Sequence, residues 1–326
     1  MSAADRRCLA CGYEETTRLL GIERVPVLIN EICRSREDAV AAPTAPIELA
    51  YCPHCGHVFN AAFDGELIHY GPDYENSLHH SARFQEYAAS LVRSLAQRHD
   101  LKGRTVVEIG CGDGRVLREL CALTGARGFG FDPSVQVPGP ADERVTLSRE
   151  SYLEAADVPA ADLVINRHVL EHVEDPRGFL AAIGARAGEG AALYLEVPNA
   201  LYTLRDLGIW DLIYEHPSYF TSSSLARVVD AAGIAVRSIE EAFAGQFLGL
   251  HGVVGRPSSE DVRVAAPGPD LQALAEGFAA EYEQKVRSWS ARLAPFMEGE
   301  GAGRVALWGA GSKGSTFLNV LGGAGS

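Results

Sequence analysis

The sequence predicts an α/β fold with a doubly wound, mostly parallel sheet, preceded by a small cysteine-bearing module and followed by the start of a second α/β unit. Apolar residues at 105–109 have the pattern of a buried parallel strand, and a glycine turn follows them directly. Further short apolar runs recur along residues 128–239, and stretches with helical periodicity separate most of them. Near the N-terminus, four cysteines occur as two closely spaced pairs. Together these patterns predict a chain whose parts differ in architecture.

The glycine turn has the spacing of a nucleoside-binding loop. Gly110, Gly112 and Gly114 alternate behind the first strand, so backbone N–H groups can approach a ligand closely. Asp132, at the tip of the next strand, can accept hydrogen bonds from both hydroxyls of a ribose. Arg115 occupies the place where a G-x-G-x-x-G dinucleotide motif needs its third glycine. The turn therefore predicts a nucleoside site without a pyrophosphate; the alternative is an ordinary doubly wound domain with a glycine turn.

Together with Glu108, this segment reads E-x-G-x-G-x-G and resembles motif I of class I S-adenosyl-L-methionine (SAM) methyltransferases. The resemblance implies a Rossmann-like methyltransferase domain in which the glycine loop faces the methionine part of SAM and Asp132 holds the ribose. It also implies that Glu108, and Asn166 at the end of a later strand, belong to the cofactor site.

Composition limits the class of partner. The chain has 326 residues, of which 47% are hydrophobic and 22% charged, and its net charge of −14 disfavours nucleic acid as a substrate. The N-terminus has no apolar signal core, and no uncharged apolar run reaches the length that spans a membrane. We therefore expect a cytoplasmic protein that acts on a small molecule, with seven cysteines present as thiols or metal ligands. The sequence predicts no particular oligomeric state.

The paired cysteines have the spacing of a zinc site. Two C-x2-C-G knuckles contribute four thiols, from Cys8, Cys11, Cys52 and Cys55. Four thiolates close a tetrahedral site and leave no open coordination position, so the predicted zinc ion is structural. His54 and His57 are alternative ligands, and a redox pair is the alternative function.

The chain divides into four predicted segments, namely a zinc-binding module (1–65), a linking segment (66–100), the methyltransferase domain (101–255) and a C-terminal part (256–326). Within the module, residues 22–32 are expected to supply strands and residues 41–46 a surface excursion. Apolar residues at helical spacing predict a helix over 84–99. The predicted strands of the main sheet are 106–109, 128–131, 145–147, 163–165, 192–197 and 236–239.

The C-terminal part contains a second glycine motif. After a linker at 256–270, the sequence predicts a helix over 271–296 and a strand over 304–308. Gly309, Gly311 and Gly314 then satisfy G-x-G-x-x-G, and a helix is expected to follow over 315–321. One strand and one helix cannot bury a Rossmann-like core. Either this unit packs on the main domain or on another chain, or the sequence is a truncated form of a longer protein. Truncation is the favoured interpretation. A dinucleotide site is not expected there, because no later strand can bring a ribose-binding acid.

The chemistry is expected where the fourth and fifth strands of the main sheet end. His172 lies in a V-L-E-H-V string that is widespread in small-molecule methyltransferases, and it is a candidate for a direct catalytic or substrate role. His168, by contrast, is expected to serve packing. Asn199 follows the fifth strand and is expected to open a loop toward the substrate pocket.

A second candidate for the chemistry is the segment 210–221. Its notable side chains are Tyr214, Glu215, His216 and Tyr219. A histidine has an ordinary pKa near neutrality, as a general base needs, and either tyrosine can donate to an enolate oxygen. The alternative is an aromatic loop that caps the following helix, with Thr221 or Ser222 as the N-cap.

The order of these motifs, from Cys8 to Leu321, resembles one family specifically. It is the three-part sugar C-methyltransferases, which act on nucleotide-linked keto-deoxysugars. The resemblance implies that a base removes the proton next to the keto group and that the carbanion then takes the methyl group of SAM with inversion. His216 would be that base. The other residues implied at the catalytic and substrate site are Tyr214, Glu215, His172, Tyr74, Asn199 and Tyr219.

The chain departs from this family in two places. The family's loop usually reads Y-H-E-H, whereas Tyr214 directly precedes Glu215 here. The family's third domain, which helps to grip the nucleotide, continues well past the position at which this sequence ends. Two other functions therefore stay open, an O- or N-methyltransferase acting on another small metabolite and a noncatalytic SAM-binding regulatory subunit.

Overall fold

The structure is a computed structural model that describes residues 7–69, 81–255, 267, 269–297, 305–309 and 311–323. Its strands are β1 (Thr17–Pro26), β2 (Thr44–Tyr51), β3 (Val58–Asn60), β4 (Thr105–Ile109), β5 (Arg127–Phe131), β6 (Gly139–Pro140), β7 (Val145–Ser148), β8 (Leu163–Arg167), β9 (Ala192–Pro198), β10 (Ser218–Tyr219), β11 (Ile234–Ala242) and β12 (Phe247–Val254). Its helices are α1 (Arg36–Ala41), α2 (Ala82–Arg98), α3 (Arg115–Thr124), α4 (Pro176–Ala187), α5 (Ala200–Arg205), α6 (Ser222–Ala231), α7 (Pro269–Met297) and α8 (Ser312–Gly323).

The described residues belong to two compact units. Unit one takes its residues from Met1–Glu75, Ala200–Thr221 and Ala266–Ser326, and unit two from Asn76–Asn199 and Ser222–Ala265. Residues 200–221 thus contact the cysteine-bearing segment, although the sequence assigned them to the segment 101–255. Among the described helices, none combines the length and the apolar character needed to cross a bilayer.

Unit two is built on an eight-stranded sheet with the order β11-β12-β9-β8-β4-β5-β7-β6. Strands β7, β5, β4, β8 and β9 run parallel, whereas β12 is antiparallel to both of its neighbours and β6 is antiparallel to β7. Every residue of β4 and β8 is buried, as expected for strands that helices cover on both faces. The predicted doubly wound, mostly parallel sheet is confirmed, and all six predicted strands lie in it.

Helices α2 and α3 pack against one face of this sheet. The predicted periodicity of α2 is confirmed, since its buried residues follow a helical stripe and Ser81 caps its N-terminus. Helix α3 begins directly after Gly114 and ends at Gly125, whose left-handed conformation (φ 77°) lets its N–H donate to the carbonyl of Cys121. The glycine turn is therefore held between a buried strand and a buried helix.

Strand β12 was not predicted from the sequence. Its glycines obscure the strand pattern, but the sheet needs them. A Cβ atom at Gly249 would lie 2.9 Å from the hydroxyl of Tyr194, and one at Gly252 would lie 3.0 Å from a methyl carbon of Ile234. Glycine occurs in strands where a neighbour approaches the backbone this closely.

Unit one contains a four-stranded antiparallel sheet with the order β1-β2-β3-β10. The predicted surface excursion at 41–46 is wrong in its second half, because Thr44–Pro46 begin β2. Thr44 pairs with Pro26 and Ala45 pairs with Val25, so the segment turns back into the sheet. The core of the unit joins β1, β2 and segment 200–221 with α7 and α8.

The C-terminal helices belong to this core. Helix α7 confirms the predicted helix over 271–296, and α8 confirms the helix expected after the second glycine motif. The predicted strand at 304–308 is wrong, since the described residues 305–309 form no strand and no described strand pairs with them. Helix α8 packs in unit one, where Phe317 meets the rings of Trp210 and Trp289 and Lys313 forms a 2.8 Å ion pair with Asp211. Of the predicted linker at 256–270, residues 256–266 lie outside the described residues, and its end is wrong because Pro269 and Asp270 begin α7.

Candidate active site and cysteine cluster

The glycine loop lies at the carboxyl end of β4, where the sheet presents a ligand site. Gly110, Gly112 and Gly114 all have positive φ angles, of 74°, 54° and 71°, which explains the residue type at each position. A Cβ atom at Gly110 would lie 2.1 Å from a methyl carbon of Val169, whereas a Cβ atom at Gly112 would meet nothing within 4 Å. Val169 thus packs against the loop at Gly110, whereas the position of a side chain at Gly112 is empty space.

Asp132 follows β5 and is tied to this loop. Its Oδ2 accepts a 2.8 Å hydrogen bond from the N–H of Gly112, and its Oδ1 accepts bonds from the N–H and the hydroxyl of Ser134. A carboxylate has about four acceptor sites, so these three bonds leave capacity for a ligand hydroxyl. Asp132 is half-buried. Asp132 thus lies beside the glycine loop, and its contact with a ribose stays a prediction.

Two buried polar side chains at this end of the sheet have atoms without a hydrogen-bond partner among the described residues. Glu108 is 3% exposed, and its Oε2 accepts no hydrogen bond there. Burial raises the pKa of Glu108 to about 8. Asn166 is wholly buried, and neither its amide nitrogen nor its amide oxygen has a partner in the described part of the chain. Unpaired buried polar groups of this kind are costly, so they fit a polar, cationic ligand such as SAM.

A charged cluster that the sequence analysis missed lies beside these residues. Glu196 of β9 is wholly buried and its Oε1 accepts hydrogen bonds from Arg167 of β8, at 2.9 Å from Nε and 2.8 Å from Nη2. The hydroxyls of Tyr194 and Tyr87 donate to its Oε2. Burial alone raises the pKa of Glu196, but Arg167 and His168 outweigh burial and hold that pKa well below its usual range. A charged residue in each of two apolar strands, paired in register, was the available signal.

His168 and Glu171 complete the cluster. His168 lies between two carboxylates, with Nε2 3.1 Å from Glu196 and Nδ1 3.5 Å from Glu171. Burial lowers the pKa of His168, but the two carboxylates outweigh burial and raise it to about 9. His168 therefore does more than the packing predicted for it.

Outside segment 210–221, the remaining predicted residues of the catalytic and substrate site are His172, Asn199 and Tyr74, of which the structure describes the first two. His172 is half-buried in the 3-10 turn Leu170–His172. Asn199 is buried, and its side-chain amide donates a 2.9 Å bond to the carbonyl of Gly245 in the β11–β12 turn. Tyr74 lies outside the described residues.

In unit one, the tyrosines and the glutamate of the 210–221 segment are anchored. The hydroxyl of Tyr214 accepts a 2.8 Å bond from the N–H of Asp64, and Glu215 accepts a 2.8 Å bond from the N–H of Ile29. The hydroxyl of Tyr219 bonds both the N–H and the carbonyl of Ile213. All three side chains are buried, whereas His216 is the single residue of 212–221 that is not. Segment 210–221 therefore has one partly exposed imidazole, that of His216, between side chains that are buried and hydrogen-bonded.

The four paired cysteines converge in unit one. Their sulfur atoms all lie within 4.8 Å of one another, with Cys8 and Cys55 3.6 Å apart and Cys11 and Cys52 3.7 Å apart. Four sulfurs bound to one zinc at about 2.3 Å would lie about 3.8 Å apart, so the cluster has the size of a tetrahedral zinc site.

The two knuckles have matching backbones. In each of them the N–H of the following glycine, Gly12 or Gly56, donates a 2.8 Å bond to the carbonyl of the first cysteine. Both glycines have positive φ angles, of 74° and 75°. His57 lies outside the sulfur cluster, and its Nε2 is 3.2 Å from the hydroxyl of Ser218. The donor set present fits zinc with four thiolate ligands.

Comparison with known proteins identifies a methyltransferase domain in this chain. The family described as "Methyltransferase domain" matches residues 79–239. A ubiquinone biosynthesis O-methyltransferase of Burkholderia thailandensis is 30% identical over 43% of this chain and 68% of its own length. The C-methyltransferase NovU of Streptomyces niveus is 25% identical over 97% of this chain and 78% of its own length.

Solved structures also match. The 1,6-didemethyltoxoflavin-N1-methyltransferase of Burkholderia thailandensis, crystallised with S-adenosylhomocysteine, is 17% identical, covers 54% of this chain and 82% of its own, and has a TM-score of 0.42. Magnesium protoporphyrin IX methyltransferase from Synechocystis PCC 6803 is 18% identical, covers 56% and 90%, and has a TM-score of 0.43. With the family match and the relatives above, the conclusion is that this chain belongs to the SAM-dependent methyltransferases of the class I, Rossmann-like fold.

Proposed function

We propose that this enzyme methylates a carbon atom next to a keto group of a nucleotide-linked deoxysugar. The observation that carries the proposal is the extent of similarity to C-methyltransferase NovU, which covers 97% of this chain. The ubiquinone O-methyltransferase relative from Burkholderia thailandensis covers 43% of it. Similarity that extends over both units favours the activity named for the relative that shares both.

Carbon chemistry requires a positioned base, because a carbon beside a ketone is a far weaker acid than a hydroxyl group. We assign this role to His216, whose imidazole is the accessible one of the 212–221 loop. Tyr214 and Glu215 are assigned to hold the loop through Asp64 and Ile29. In this assignment the reaction does not depend on the missing histidine of the Y-H-E-H pattern, since Tyr214 and Glu215, the two residues before His216, only hold the loop in place.

SAM, when bound, supplies an electrophilic methyl group. Glu108, the glycine loop, Asp132 and Asn166 would hold this cofactor through their unpaired polar atoms and the open backbone at Gly112. His216 accepts the proton from the substrate carbon, and the electron pair of the broken C–H bond moves into an enolate. His172 and Tyr74 are proposed to contact the sugar, together with Asn199 on the loop after β9.

A direct test is incubation of the purified protein with methyl-labelled SAM and a panel of keto-sugar nucleotides. We expect a product whose new methyl carbon shows a carbon–carbon coupling to the sugar ring by NMR. Methylation on oxygen, as the names of the ubiquinone relatives suggest for those proteins, would reject the carbon assignment and keep the methyltransferase. The control is the same panel of nucleotides after reduction of the keto group, which should accept no methyl group on carbon.

The cofactor assignment gives a second prediction. Asp132→Ala is expected to weaken SAM binding by about 2–3 kcal/mol, because the ribose hydroxyls and the N–H of Gly112 lose their acceptor. Titration calorimetry measures this loss. Asp113→Ala is the matched control, since Asp113 is an exposed acid of the same loop. An unchanged affinity in Asp132→Ala would remove Asp132 from the cofactor site.

A further inference from the structure

His168 has an unusual backbone for its residue type. Its φ angle is 54°, in the left-handed region that favours glycine and, among other residues, asparagine, aspartate and histidine. Its backbone N–H donates a 2.9 Å bond to the carbonyl of Glu196, which fixes this conformation. Strained backbones of this kind persist where the surroundings determine them and occur often at functional sites. Since a glycine would satisfy the backbone alone, the imidazole needs its own explanation.

Both nitrogens of this imidazole face carboxylates. Nε2 is 3.1 Å from Glu196 and Nδ1 is 3.5 Å from Glu171, and a carboxylate can only accept. The contact at Nε2 is an ion-pair distance without hydrogen-bond geometry, so what joins the imidazole to both carboxylates is the positive charge of an imidazolium, which a neutral imidazole lacks. The raised pKa of His168, about 9, agrees with the geometry. His168 is therefore a charged bridge at neutral pH.

The two ends of the bridge differ in their other contacts. Glu196 is held independently by Arg167, Tyr87 and Tyr194. Glu171 is 1% exposed, and its Oε2 has no hydrogen-bond partner in the described part of the chain. His168 thus lies between the carboxylate of Glu196, which several side chains hold, and that of Glu171, which has one buried oxygen without a partner among the described residues.

The turn that carries Glu171 is also packed from the other side. Val169 lies so close to Gly110 that any Cβ atom there would collide with it. The ring of Phe247 meets His168 edge to face, with centroids 4.5 Å apart. The glycine loop, β9 and β12 therefore all contact residues 168–169.

We infer that His168 is a positioning residue that holds Glu171 so that its free oxygen accepts a hydrogen bond from a hydroxyl of the methyl acceptor. A ring hydroxyl beside the reacting carbon of a sugar is the ligand group that such a buried, unpaired carboxylate oxygen recognises. The inference rests on the proposed function for the class of acceptor. It assigns no proton transfer to His168 or Glu171.

The kinetic test compares His168→Asn, Glu171→Gln and the double variant. Asparagine suits the left-handed backbone but cannot bridge both carboxylates. Each single variant is expected to lower kcat/KM for the acceptor about 10- to 100-fold and to leave the Kd of SAM within about threefold. Because His168 acts through Glu171, the double variant should lie within about twofold of Glu171→Gln. Losses that multiply in the double variant, or a His168→Asn enzyme within about twofold of wild type, would overturn the inference.

His99→Asn is the matched control, because it removes a half-buried histidine from unit two that contacts neither carboxylate. It should behave as wild type. In addition, wild-type kcat/KM should fall as pH rises through about 9, since the neutral imidazole loses the positive charge that joins it to both carboxylates. The charged groups that face or adjoin His168 are Glu171, Glu196 and Arg167. Because His168→Asn removes the imidazole that titrates, the pH profile of kcat/KM for this variant should lack the fall.

A measurement without any acceptor separates this inference from the proposed function. In 13C-histidine-labelled enzyme, the resonance that is lost in His168→Asn should titrate near pH 9 and shift to lower pH in Glu196→Gln. A titration near the ordinary histidine value of about 6.5 would overturn the bridge whatever the acceptor is. If no keto-sugar nucleotide is methylated on carbon, the proposed function fails alone. The kinetic comparison then uses the acceptor that the panel identifies.

Discussion

Replacing His216 by alanine is expected to lower methyl transfer to the acceptor by about two to four orders of magnitude. The same variant should stop exchange of the substrate α-hydrogen with deuterated water, measured in the presence of S-adenosylhomocysteine. Both losses follow from one cause, because the base that exchanges the proton is the base that prepares the carbon for methylation. SAM affinity should change little, since His216 is not among the residues assigned to the cofactor site.

His99→Ala is the control for loss of an imidazole, and Tyr219→Phe tests the loop. The hydroxyl of Tyr219 bonds Ile213, so its removal should loosen the segment and lower activity less than loss of His216. Exchange that survives in His216→Ala would transfer the role of base to His172 or a tyrosine. Surviving methyl transfer with an O-methyl product would contradict carbon chemistry itself.

The sequence predicted those parts of the site that local patterns encode. The alternating glycines need positive φ angles within five residues, and Asp132 directly follows the short strand β5. The cysteine knuckles likewise repeat one turn twice. In each case a short segment determines its own conformation, so the pattern alone was enough.

The remainder depends on contacts between distant segments. Arg167 and Glu196 are 29 residues apart and meet through strand register, and Tyr214 and Asp64 are 150 residues apart. A local pattern can mark a charged residue in an apolar strand, as at Arg167 and Glu196, but it does not encode which residue it pairs with. Strand β12 was missed for a related reason. Its glycines leave room for side chains of β9 and β11, but they also weaken the sequence pattern of a strand. The buried role of Tyr214, like the bridge at His168, therefore required the three-dimensional structure.

Loss of zinc should have the largest effect on stability. We expect one zinc ion per chain, bound by the thiolates of Cys8, Cys11, Cys52 and Cys55, and metal analysis of a chelator-free preparation measures it. Structural zinc sites contribute apparent binding free energies of about 10–16 kcal/mol in small peptides, and unit one has a core of its own. Cys52→Ala is therefore expected to cost on the order of 5 kcal/mol of the free energy of unfolding of unit one.

Cys33→Ala is the matched control, because Cys33 is exposed and lies outside the sulfur cluster. It should bind zinc and unfold as wild type does. A chelator-free preparation without zinc, or an unchanged unfolding transition in Cys52→Ala, would contradict the prediction. The two units also make the outcome specific. Unit one contains segment 200–221 with His216, whereas the cofactor residues belong to unit two. Cys52→Ala should therefore lose methyl transfer together with α-hydrogen exchange while it still binds SAM, a combination that global unfolding would not produce.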